Sequence, residues 1–206
     1  SGTGGGFKKF LNKEIDICNA SRPITDDEKK QATTNGVEYI ELKVAYDGLS
    51  IVVNKDNTWA KDMTAEELQK MWKEGSTVKT WADIRPEWPK ENIKFYSPGT
   101  ASGTFEYFTE EINKKKKSQR TDVTASEDDN VLVQGVAGDK NGIAYFGYSY
   151  YDANKTKLNL VKVNGVAPTT ETIKNLSYKP LSRPLYIYIN KASMTRPEVK
   201  EFANFY

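Results

Sequence analysis

Apolar residues along this chain alternate between helical and extended spacings. Phe7, Phe10 and Leu11 fall three and four apart and mark one helix face. The apolar stretch Ile15-Asp16-Ile17-Cys18-Asn19-Ala20 predicts a strand, closed by the turn Ser21-Arg22-Pro23-Ile24. Thr25-Asp26-Asp27-Glu28 then reads as a capping box opening a polar helix. Residues 37–46 and 49–54 are rich in β-branched and aromatic types and predict two strands. A second capping box, Thr64-Ala65-Glu66-Glu67, starts a helix with the stripe Leu68, Met71 and Trp72, and Gly75 is placed to end it. A strand at 92–97 precedes a helix carrying Phe105, Phe108 and Ile112. Glu110 and Glu111 lie four residues before Lys114 and Lys115, which predicts that this helix continues through Lys117. A further helix is expected from Ser126, with strands at 143–151, 158–163 and 184–190 and a helical pattern in the closing EVKEFANFY. Strands alternating with helices predict an α/β fold.

Composition narrows the chemistry. The 206 residues carry 30 Lys and Arg against 28 Asp and Glu, a balance without the basic footprint of a nucleic-acid binder. There is no His, which excludes every mechanism that uses imidazole as acid, base or metal ligand. The single cysteine, Cys18, allows no internal disulfide and no cysteine-rich metal site, and its apolar neighbours predict a buried thiol. No apolar run approaches the ~18 residues of a membrane span. No signal peptide or lipid-attachment segment is visible. The chain opens directly in a glycine-rich loop and stops within a helical pattern, so it reads as trimmed at both ends, with an export signal expected upstream.

One pattern that could bear chemistry occurs twice. Loops of Gly, Ser and Thr run straight into amphipathic helices at SGTGGGFKKF and at PGTASGTFEYF. A helix start leaves backbone N–H groups unpaired and carries partial positive charge. Small residues let an anion approach that backbone, and hydroxyls add directed donors. Neither loop is a nucleotide P-loop, because Phe105 follows Thr104 where a GK[ST] ending would stand. Arg22 follows a third small-residue strand end. The run Lys114–Lys117 reads as a solvated face. The tripeptide SRP recurs at 21–23 and 182–184, each time beside a predicted strand.

GTGGGFKKF, DICNASRPI, VAYDGLSIVVN, GTASGTFEYF, SEDDNVLVQGVAGDKNGIAYFGYSYY and PLSRPLYIYIN occur in the order seen in the substrate-binding proteins of bacterial phosphate ABC transporters. The chain resembles that family over nearly its whole length, closest to the branch with ASRP and SEDDN motifs. The resemblance implies a two-lobed periplasmic-binding-protein-like fold with crossing hinge strands. Lobe one would be 1–53 plus 182–206, and lobe two the inserted 54–181. It implies phosphate bound between the lobes by Thr3 of the first loop and Ser102, Gly103 and Thr104 of the second. Many members have an Asp after the Ala-Ser of the second motif and an Arg a few residues before SGT. Here those places read Ser21-Arg22 and Pro98, so Ser21 and Arg22 join the expected ligand set, with Arg22 supplying the charge. An earlier family strand and loop that adds a hydroxyl and an N–H has no counterpart in this sequence.

An acceptor for the proton of monohydrogen phosphate would separate it from sulfate. Asp47 is the candidate, against the plainer reading of a turn aspartate bonding its own backbone. Asp129 and Asn130 are weaker candidates, better placed to cap the helix near Ser126. The resemblance further implies delivery of phosphate to a membrane permease, a monomer outside the cytoplasm (periplasmic or lipid-anchored), and neither metal nor organic cofactor. Two alternatives stay open: a receptor for sulfate, molybdate or another oxyanion, and a serine hydrolase or phosphatase using Ser102. The latter lacks a base, since no His exists and no S-x-x-K pattern lies near either loop.

Overall fold

In the computed structural model, which describes residues 2–206, the elements follow in the order α1 (Thr3–Leu11), β1 (Ile17–Ala20), α2 (Asp26–Thr34) and β2 (Tyr39–Asn54). Next come β3 (Asp62–Met63), α3 (Ala65–Trp72), β4 (Lys94–Pro98), α4 (Gly103–Glu111) and β5 (Thr124–Ser126). The chain continues through α5 (Asp129–Gly138), β6 (Gly142–Gly147), α6 (Tyr148–Asn154), β7 (Leu158–Val163) and α7 (Thr170–Lys174). It closes with β8 (Ser182–Asn190) and α8 (Pro197–Phe205). These elements form two compact units. One runs to Tyr46 and resumes over Arg183–Tyr206; the other is Asp47–Ser182.

In the first unit the strand order is β1-β8-β2. β1 is antiparallel to β8, with Cys18 opposite Tyr188 and Ala20 opposite Tyr186. Alternation along β8 then supplies two faces. Tyr186 and Tyr188 join Phe7, Phe10 and Leu11 of α1, together with Ala32 of α2. Ile187 and Ile189 join Val199 of α8 and the half-buried Ile40, Leu42 and Val44. The Phe7 ring meets Tyr188 edge-on at 4.8 Å. Cys18 is buried here, and desolvation pushes its thiol up to about 11.

The second unit is built around the other half of β2. It pairs antiparallel with β6 on one side (Val52 opposite Ala144) and with β7 on the other (Val52 opposite Leu160). β4 lies parallel to β6, β5 parallel to β4, and β3 parallel to β7. Both faces of the central strands are covered, which explains why LSIVVN and GIAYFG are mostly apolar on both faces and why Ser50 and Asn54 are buried with them. Leu49, Ile51, Val53, Ile143 and Tyr145 face a core with Trp72, Trp81 and Phe108. Val52, Ala144 and Phe146 face Leu132, Val133 and Val136 of α5. Tyr145 stacks on Phe108 with ring centroids 3.8 Å apart.

Four expectations are corrected. The two strands expected over 37–46 and 49–54 are one continuous strand, β2. Gly48 does not break it; a Cβ there would lie 2.5 Å from Cδ1 of Ile173, so the glycine serves the close approach of α7. α4 stops at Glu111, because Lys114 and Lys117 take left-handed conformations, φ 57 and 59. The lysines then pair with carboxylates, Lys115 with Glu74 and Lys116 with Glu106. α5 begins at Asp129, not Ser126, because Thr124–Ser126 pairs with β4 as β5. β6 ends at Gly147, and Tyr148–Asn154 turns into a helix despite its aromatic content.

Candidate functional site

The first loop enters α1 through Gly2, an N-cap residue without a side-chain acceptor, so the helix's leading N–H groups are not capped from within. Thr3 reaches across to the end of β1 instead. Its Oγ1 accepts from the Ser21 N–H at 3.1 Å and lies 3.0 Å from the Ser21 hydroxyl. The structure thus brings together two of the residues nominated from sequence and fixes the strand end against the helix start.

Arg22, the next residue, is half-buried and grips Glu28 with both ends of its fork, each at 2.8 Å. It also donates to the Pro23 carbonyl and lies over the Phe7 ring, 5.3 Å from its centroid. Glu28 closes the α2 capping box by accepting from the Thr25 N–H. Burial on its own would raise the Glu28 carboxyl, but the bonds from Arg22 and Thr25 outweigh it and hold the group below its ordinary value. Arg22 is therefore oriented by a planar two-point contact at the same strand end that carries Ser21.

The second loop joins β4 to α4. The Ser102 N–H returns to the Gly99 carbonyl at 3.0 Å, which tightens the turn. Ser102 then caps α4: its Oγ accepts from the N–H groups of Thr104 (3.1 Å) and Phe105 (3.5 Å). Gly103 stands in open space, since a Cβ there would meet nothing within 4 Å. Thr104 is half-buried beside it. The consecutive Ser102, Gly103 and Thr104 thus occupy the cap and first turn of a helix, with hydroxyls and backbone donors on one short arc.

Asp47 sits in the middle of β2, half-buried, where the chain passes from one unit to the other. Its backbone is extended, so the reading of a turn aspartate is corrected. Asp129 and Asn130 do not cap α5; Asp128 does, accepting from the Asn130 N–H at 2.9 Å. Burial, with Asp128 and Glu127 adding like charge, raises the Asp129 carboxyl above its ordinary value.

Two carboxylates at these loops escaped the sequence reading. Glu28 was legible as a capping residue, but its second role with Arg22 depends on how the SRP turn folds. Glu127 accepts from the Ala101 N–H of the second loop at 3.2 Å. It belongs to the SEDDN motif, and its placement follows from β5, which could not be read as a strand. Gly99 is the one legible hint, because a Cβ there would fall 1.9 Å from the Glu127 Oε1.

These features define a class. The family model for the PBP superfamily domain matches residues 1–206, and the chain belongs to that family. It has the two-lobed α/β fold of periplasmic binding proteins. The chain is 47% identical over its whole length to Protein SphX of Synechococcus elongatus, covering 63% of that protein. It is 46% identical over 94% of its length to the phosphate-binding protein PstS of Staphylococcus saprophyticus, covering 60%. It thus spans about three fifths of the length of these relatives. Among solved structures it is similar to a possible phosphate binding protein from Planctomyces limnophilus. That match has 50% identity and a TM-score of 0.94, covering 99% of this chain and 74% of the other. It is also similar to a putative phosphate ABC transporter substrate-binding protein with bound phosphate from Clostridium perfringens, at 26% identity and a TM-score of 0.69, with coverages of 99% and 77%.

Proposed function

We propose that this chain is the phosphate-binding part of a receptor that hands inorganic phosphate to an ABC transporter. The observation that carries the reading is the second loop, where Ser102, Gly103 and Thr104 present hydroxyls and helix-start N–H groups around an open glycine. The first loop repeats the arrangement with Thr3 held to Ser21. Arg22 supplies a guanidinium at the end of β1, and Asp47 is the carboxylate nominated for the ligand's proton. Many neutral donors and one guanidinium suit a small dianion, which needs directed hydrogen bonds more than net charge. The relatives named for phosphate binding support this substrate over sulfate or molybdate.

Binding without turnover is the second part of the proposal. A serine nucleophile at Ser102 needs a base within hydrogen-bond reach. The chain has no His, and the Ser102 hydroxyl oxygen is engaged as a helix cap. The chain works outside the cytoplasm beside a membrane permease. Among the described residues no helix is long and apolar enough to cross a membrane.

Equilibrium dialysis with labelled phosphate, competed by sulfate and by molybdate, tests the ligand. Phosphate retention that neither competitor displaces at equal concentration is the expected result. Displacement by either one assigns the receptor to that oxyanion. Release of product from a chromogenic phosphate ester would replace the receptor with an enzyme.

A further inference from the structure

The second loop is braced at both ends by one buried side chain. Tyr145 of β6 is fully buried, and its ring stacks on Phe108 of α4 with centroids 3.8 Å apart. Phe108 lies four residues after Thr104, on the same helix face one turn further along. The Tyr145 hydroxyl donates to Oε1 of Gln119 at 2.9 Å, and Nε2 of Gln119 donates to the Ser97 hydroxyl at 2.8 Å. Ser97, also fully buried, lies in β4 two residues before Gly99 and the loop. The strand end that enters the loop and the helix that leaves it therefore meet on Tyr145.

The relay between them is firmly held. Burial raises the Tyr145 phenol above its ordinary value, with the Ser97 hydroxyl opposing, so the group stays a neutral donor. Gln119 is fixed through the next residue. The buried Arg120 donates to the carbonyls of Met71 and Val78, both at 2.9 Å, and its N–H reaches the Trp72 carbonyl at 3.0 Å. The Trp72 ring in turn meets Tyr145 and Phe108 edge-on, at 5.0 and 5.7 Å. The first unit repeats the arrangement with Tyr188. Its ring meets Phe7, four residues after Thr3, and its hydroxyl accepts the Ile24 N–H at 2.9 Å, just beyond the turn that carries Arg22.

Apolar side chains could fill the same space at little cost to stability, whereas a satisfied polar relay fixes one geometry. An anion loop gains affinity when its donors are aimed beforehand, because binding then has less to order. We infer that Tyr145 and Gln119 are positioning residues for phosphate binding, holding Ser102, Gly103 and Thr104 in their binding arrangement before the anion arrives. The inference rests on the reading of this loop as a phosphate site, and both residues act through the loop.

The test is calorimetric titration of phosphate, well below each unfolding temperature. The proteins are wild type, Tyr145→Phe, Gln119→Met, Thr104→Val and the double variant Tyr145→Phe/Thr104→Val. Tyr145→Phe keeps the stack on Phe108 and loses the relay; Gln119→Met keeps the side-chain length and loses both bonds. Each should weaken phosphate binding by roughly three- to tenfold, and by similar factors, because each opens the same relay. The double variant should lose less than the product of its two single losses, since both changes act at one loop. Glu67→Gln, which removes an ion pair elsewhere in the same unit, should lower Tm and leave phosphate affinity as it was. Relay variants that melt lower yet bind as wild type overturn the inference, and so does a fully multiplicative double variant. A wild-type protein that binds no phosphate overturns the site and the inference together.

Discussion

Thr3 and Ser21, eighteen residues apart, meet with their hydroxyl oxygens 3.0 Å apart, and Thr3 also accepts the Ser21 backbone N–H at 3.1 Å. The bond ties the first loop to the strand end that carries Arg22. Thr3→Val removes it without changing the side-chain shape. A half-buried N–H left without its acceptor costs on the order of 1–3 kcal/mol. Chemical denaturation should show a lower midpoint with an unchanged slope, and phosphate affinity should fall with it. An unchanged midpoint would make the Thr3–Ser21 contact incidental.

Thr104→Val probes the other loop, at a residue whose hydroxyl makes no such tie among the described residues. The hydroxyl is spared any structural bond among the described residues, so stability without ligand should barely move. Loss of one charge-assisted bond to the anion costs about 1.5–3 kcal/mol. Phosphate affinity should therefore drop by roughly ten- to a hundred-fold in a calorimetric titration. Unchanged affinity would remove this loop from the site.

Arg22→Lys keeps the charge and loses the fork. The Arg22–Glu28 pair has both members partly exposed, so its structural worth is at most about 1 kcal/mol. The expected outcome is a small loss of stability and a fall in phosphate affinity of roughly tenfold or more, since a point charge cannot reproduce a planar two-oxygen contact. Normal phosphate binding by the lysine variant would remove the Arg22 fork from the anion's ligands.

A pH-dependent prediction concerns Glu67, which takes two bonds from Arg85, at 2.7 and 2.9 Å, and closes the α3 capping box. The Arg85 bond is the main reason its carboxyl lies below the ordinary value, with burial opposing it and the Thr64 N–H reinforcing it. A depressed folded value means the stabilisation is fully present above the unfolded value, ~4.3, and is lost as pH falls through the folded one. Glu67→Gln should therefore lower Tm at pH 7 and converge on wild type once the pH has fallen below the depressed folded value. A difference that persists at low pH would place the effect in packing.

The legible parts of this fold are those set by local chemistry. Both capping boxes, at Thr25 and Thr64, form with their reciprocal bonds. The stripe Leu68, Met71 and Trp72 is buried as its spacing predicts. What could not be read depends on distant partners. The i to i+4 pairing of Glu110 and Glu111 with Lys114 and Lys115 argues for a longer α4. Lys115 instead bonds Glu74 after the chain has turned. Tyr148–Tyr151 has strand-forming residues but leaves the sheet where Gly147 caps a helix. At the site, the glycine-rich helix starts were plain in the sequence. The bond from Arg22 to Glu28 and that from Ala101 to Glu127 were not, because each joins a loop to a neighbouring element whose register only the fold sets.

Calorimetric titration of the protein with inorganic phosphate, beside sulfate in the same buffer, tests the central claim most directly. The account predicts saturable phosphate binding at one anion per chain, with sulfate giving little heat at the same concentration. No phosphate heat, or sulfate binding as tight as phosphate binding, would contradict it.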